Sequence, residues 1–155
     1  MIRPVIGDLV AVNANNRYYY AIILSKVRLF GAPLVFAFHR TSETPLTAEQ
    51  IAVPTATGFH EFVDFIWAKR ENRLSRIATK IDTVPFETAH FFKSTHTTKG
   101  KATLWFIYDA SFSELRRTKR LSKEEKTYPL RHRIDDTIMC ALIDKHWMPE
   151  HDERI

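Results

Sequence analysis

Seven histidines (His39, His60, His90, His96, His132, His146, His151), one cysteine (Cys140) and the carboxylate pairs Glu124-Glu125 and Asp135-Asp136 are the residues from which this chain could build an active site. Two histidines offer their rings to one zinc ion when they stand four apart on a helix face. No pair here has that spacing, and a single cysteine excludes the Cys-rich zinc sites. His90, beside Phe91, reads as packed at a core edge. Neither a metal nor a cofactor is expected.

The other catalytic patterns also fail at particular positions. Gly100-Lys101 has the ending of a phosphate-binding loop, but that loop needs a glycine at Thr95 and a hydroxyl at Ala102. A serine nucleophile at a strained elbow needs flanking glycines, and Gly7, Gly31, Gly58 and Gly100 supply none. Cys140 lies in an apolar run and reads as a small buried hydrophobe. Glu124-x-Lys126 echoes a fragment of metal-dependent nucleases, with no partner acid. Adjacent carboxylates on polar stretches read as solvent-facing charge, so the chain is expected to act without catalysis.

Binding is the remaining chemistry, and charge is its clearest signal. The chain carries a formal +5. Between Arg116 and Arg133, eight basic residues stand against only Glu124 and Glu125. From Ile134 to Ile155 six carboxylates outnumber Lys145 and Arg154. Such polarity steers an oppositely charged partner. The candidate contact residues are Arg116, Arg117, Lys119, Arg120 and Lys123, on a segment that reads as surface. Nucleic acid recognition would want aromatics interleaved with the cations. Tyr18, Tyr19, Tyr20, Trp67 and Trp105 instead fall in core-like stretches far from the basic run, which argues against a nucleic-acid partner.

The elements that must carry these residues are mostly strands. Expected strands cover residues 8–12, 17–25, 34–39, 60–68, 74–81 and 102–108, rich in β-branched and aromatic residues and bounded by turn formers. Asn13-Ala14-Asn15-Asn16 predicts a hairpin. The run from Arg17 to Ser25 is too uniformly apolar for one wet face. Ser111 or Ser113 would cap a short helix through Arg120, Ser94–Lys101 reads as flexible, and Pro149-Glu150 looks like a first helical turn. Residues 137–143 fit a strand or a helix equally well. A length of 155 residues suits one domain, and no apolar run approaches the ~20 residues of a membrane span. The lone cysteine and the absence of a signal-peptide pattern point to a reducing cytoplasm.

Ile6-Gly7-Asp8-Leu9-Val10-Ala11-Val12, Arg17–Leu24, Val35–Phe38, Phe62–Trp67, Arg73–Ile81 and Phe91-Phe92-Lys93 follow one another as in a known family. With Cys140–Ile143 and Trp147–His151 they resemble the Immunity protein 26 family of bacterial polymorphic-toxin systems. Ala21 and Ile22 stand where that family has glycine and arginine. The resemblance implies that residues 138–143 form a strand, and that the chain is one immunity-protein-like domain spanning residues 1–155. It also implies a function, the binding and neutralising of a cognate toxin domain. The fold expectation is mainly β, an antiparallel curled sheet or partial barrel with one or two short helices near the C-terminal third. A small β-barrel adaptor for nucleic acid or peptide is the alternative class.

Overall fold

The computed structural model describes residues 2–87 and 89–155, with every side chain among them except those of residues 26–28. In chain order the first elements are β1 (Leu9–Ala14), β2 (Arg17–Leu29), β3 (Ala32–Ser42), α1 (Ala48–Ile51), β4 (Gly58–Asp64), α2 (Ile66–Arg70) and β5 (Leu74–Ala78). There follow β6 (Phe91–Thr98), β7 (Lys101–Asp109), β8 (Glu114–Thr118), β9 (Arg133–Asp135) and α3 (Asp136–Asp144). Short 3-10 turns occupy Val84–Phe86, Glu125–Thr127 and Pro149–His151. The protein is mainly β with some helix, as expected, but neither of its two sheets closes or curls. By contacts the chain forms two compact units, Met1–Glu87 with Arg133–Trp147, and Thr88–His132 with Met148–Ile155.

The first unit holds a six-stranded sheet in the order β5-β1-β2-β3-β4-β9. Its pairs are antiparallel except β4–β9, which is parallel and makes the sheet mixed. β1 and β2 turn through Asn15 and Asn16, at φ 53° and 60°. Asparagine tolerates this left-handed conformation, and a two-residue turn of that hand matches strand twist. β2 is buried on both faces, which explains its unbroken apolar run. On one side Leu9, Tyr20, Ile22, Leu24, Phe36 and Phe38 join Ile51 and Phe86 in a core cluster. On the other, Tyr19 reaches α3, its hydroxyl donating to Asp144 at 2.9 Å. Gly58 is where the sheet accepts no side chain: a Cβ there would lie 2.2 Å from the Ala37 carbonyl oxygen.

Several sequence expectations fail for local reasons. Residues 137–143 form α3, not a strand. Asp135 accepts a hydrogen bond from the Ile138 amide at 2.9 Å and so caps the helix, while Asp136, Met139, Cys140 and Ile143 share its buried face. The expected strand over 60–68 ends at Asp64, whose carboxylate accepts from the Ile66 amide at 2.9 Å and starts α2. Helices therefore also occur in the first half of the chain. β5 stops at Ala78, shorter than expected, with Lys80 at φ 54° turning the chain.

The second unit holds an antiparallel three-stranded sheet, β6-β7-β8. Ser94–Lys101 takes a regular form: β6 runs to Thr98 and turns into β7 through Lys99 and Gly100, at φ 52° and 77°. The Gly-Lys pair that looked like part of a phosphate loop shapes a hairpin. The helix expected after Ser111 is the strand β8. Asp109 accepts from the amides of Ser111 and Ser113 at 2.9 and 3.0 Å, and Phe112 at φ 63° reverses the chain. A local aspartate turn thus outcompetes the serine cap.

Candidate functional site

Antiparallel pairing puts directly opposite residues on one face of a sheet. In the second unit Ser94, Phe106 and Arg117 lie in one row across β6, β7 and β8, with His96–Leu104 and Phe92–Tyr108 flanking it on β6 and β7. The rings and cations of this face touch. His96 meets Phe106 edge-on with ring centres 5.0 Å apart, and the Arg117 guanidinium lies 5.3 Å from the centre of the same ring. Arg131 lies over both Tyr108 and Phe112, at 4.8 and 5.0 Å. Phe112 in turn meets Phe92 at 5.6 Å, and Ser94 Oγ donates to the Tyr108 hydroxyl at 3.2 Å. Arg131 is placed by the backbone. Its amide donates to the Lys93 carbonyl at 2.8 Å, tying residues 129–131 to β6.

The opposite face is built around a cation. Lys93 is fully buried, its ammonium donating to the Lys126 carbonyl and, at 3.0 Å, to that of Pro149. Burial pushes it down to about 8. On this face Arg116 grips Glu125 through two bonds of 2.7 and 2.9 Å. That grip holds the Glu125 carboxyl down at about 2, and the Ser122 amide donates to the same group at 2.8 Å.

The five residues expected to contact a partner therefore divide. Arg116 is a clamp between β8 and the Glu125–Thr127 turn. Arg117 pairs with Glu114 and covers Phe106. Lys119, Arg120 and Lys123 are exposed and, among the described residues, face no carboxylate. Their loop is held at both ends. Thr118 Oγ1 bonds the Arg120 amide and carbonyl at 3.1 and 2.7 Å, and Leu121 is buried between the cations.

The acidic stretch is divided between the two units. Asp135 caps α3, Asp136 receives Arg73 at 2.9 Å, and Asp144 receives Tyr19, all within the first unit. Asp152 belongs to the second unit and pairs with Arg154 at 2.6 Å. The Asp135-Asp136 and Glu124-Glu125 pairs, expected to face solvent, thus each contain a buried ion-pair member. Cys140 is buried in α3 and its thiol is pushed up to about 12 by burial, so no thiolate forms at neutral pH. His60 is buried against the Phe86 carbonyl at 2.6 Å and its protonation is disfavoured by burial. Among the described residues no three histidines, cysteines or carboxylates gather as a metal site. No helix there is long and apolar enough to cross a membrane.

Reading along the chain singles out neither Phe106, Phe112 nor Arg131 for this face, and weighs His96 only as a metal ligand. The alternation of Leu104, Phe106 and Tyr108 against Thr103, Trp105 and Ile107 was the available signal. No protein-family model, curated protein or solved structure matches this chain.

Proposed function

We propose that this protein is a non-catalytic inhibitor: an immunity protein that binds a cognate toxin domain in the cytoplasm and blocks it. The observation that carries the reading is the loop of Lys119, Arg120 and Lys123. Three exposed cations, without carboxylate partners among the described residues, stand on a segment fixed by the Arg116–Glu125 clamp and by buried Leu121. Rigid presentation limits the ordering entropy lost on association. Charges at an interface rim raise association rate and select partners by sign. The complementary toxin presents an acidic patch. The acidic stretch is the weaker candidate because three of its carboxylates serve the first unit's own fold.

Co-expression with a toxin domain encoded by a neighbouring gene tests the function. Cells survive if the reading holds; death at the rate seen without this protein removes it. Interface placement is tested separately by reversing Lys119, Arg120 and Lys123 to glutamate, which leaves the clamp intact. Association with the toxin should slow on the order of 10-fold at low salt, with a flatter salt dependence. An unchanged on-rate moves the interface elsewhere.

A further inference from the structure

We propose that the face of the three-stranded sheet carrying His96, Phe106, Tyr108, Phe112, Arg117 and Arg131 is a binding surface for single-stranded nucleic acid. The basic run and the aromatics are apart in sequence, but sheet pairing interleaves them. Arg117 lies on Phe106, and Arg131 lies on Tyr108 and Phe112. The second unit holds eleven of the chain's cations against seven carboxylates, so it carries +4 of the formal +5.

Two features favour bases over an acidic protein segment. Arg117 and Arg131 place planar guanidinium groups within 5.3 Å of ring centres, and unpaired bases stack on aromatic rings and on guanidinium planes alike. Ser94 Oγ and the Tyr108 hydroxyl add a polar pair beside the stack that can meet a base edge or a 2′-hydroxyl. Arg131 also has unspent capacity. Its Nε is buried without a hydrogen-bond partner, and among the described residues no carboxylate pairs with it. A phosphate at the partly exposed remainder of the Arg131 side chain, rather than at the buried Nε, would supply the opposite charge. Bases stacked inside a duplex cannot reach these rings, so the strand must be single.

Fluorescence anisotropy with labelled mixed-sequence DNA and RNA strands of about 15 nucleotides, long enough to exceed the site of one small β domain, tests this directly. Saturable binding is expected at low salt, weakening linearly in log–log form as sodium chloride rises. The matched duplex and polyglutamate should bind more weakly. Phe106→Ala should reduce affinity about 5- to 100-fold, the range for losing one stacking partner. Phe106→Tyr, which keeps the ring, should bind as wild type and separates stacking from folding. Arg131→Lys, which keeps charge but loses the plane, should weaken binding several-fold. Three results would each overturn the proposal: no saturable binding of either strand, duplex bound as tightly as single strand, or a well-folded Phe106→Ala variant with wild-type affinity. Toxin capture lost in the same variants while neither strand binds would assign the face to a protein instead.

Discussion

Replacing Lys93 with methionine should change how stability responds to alkali. The Lys93 ammonium is fully buried on β6, facing the Lys126 and Pro149 carbonyls, with the Trp105 ring 5.9 Å away. Burial is the main cause of its depression to about 8 from 10.5; Asp152 and Glu150 oppose the shift and Arg154 adds to it. Below pH 8 the lysine is charged in both folded and unfolded chains, and the full desolvation penalty stands. Between 8 and 10.5 the unfolded chain binds the proton that the folded one has released, so stability rises with pH. At about 1.4 kcal/mol per pH unit, the distance from 10.5 to about 8 amounts to about 3 kcal/mol. The neutral amine keeps two N–H donors, one for each carbonyl. Urea unfolding of wild type and Lys93→Met, followed from pH 7 to 10.5, isolates the effect because tyrosines and other lysines cancel in the difference. Wild type should gain on the variant by up to about 3 kcal/mol across that window. Parallel curves, or a wild type that loses ground, would refute the assignment of a depressed buried lysine.

The Arg116–Glu125 clamp has the opposite pH signature. Glu125 has a folded value of about 2 against an ordinary 4.5, so its contribution is present above 4.5 and is lost as pH falls through 2. Glu125→Gln should lower the melting temperature at pH 7 and narrow the gap to wild type by pH 2.5; a constant gap would detach the effect from ionisation. Because Arg116 is half exposed, solvent screening keeps the loss at pH 7 small. Phe30 turns the β2–β3 hairpin at φ 50° and is 77% exposed, so Phe30→Gly should stabilise the protein by up to about 1 kcal/mol. Destabilisation on thermal melting would show that the ring supplies packing. Asp135→Ala removes the cap of α3 and should cost about 1 kcal/mol in urea unfolding; an unchanged midpoint would deny the cap its role.

The hairpins were legible because their signals are local. Asn15-Asn16 announces the first, and the run after Arg17 announces a strand covered on both faces. The C-terminal segment was not, because strand and helix periodicities tie over Ile138–Ile143. What breaks the tie is the cap at Asp135 together with a part-buried bond from Arg73, a residue 63 positions away from Asp136. Resemblance pointed to strand there, and the cap decided for helix. The two-sheet arrangement was illegible for a similar reason. β9 joins β4 in parallel, a pairing set by the sequence-distant contact Val63–Ile134.

The binding face shows the same logic at its most consequential. Read linearly, the cations after Arg116 and the rings before Tyr108 are separate features, and separation counted against nucleic acid. A hairpin at Lys99-Gly100 followed by the aspartate turn at Asp109 brings Ser94, Phe106 and Arg117 into one row. Arg131 arrives from the other side, through backbone bonds that tie its segment to Lys93. The buried lysine is thus coupled to the exposed face: the residue whose side chain fills the inner side of β6 also fixes, through its backbone, the arginine that covers Tyr108. Releasing the Lys93 proton should leave Arg131 in place, because the ties are main-chain bonds that do not titrate. Strand affinity measured at pH 7 and pH 9, at constant ionic strength, should therefore change little in wild type. A collapse of affinity over that interval, with the fold intact, would show that the two faces of the sheet share more than a backbone.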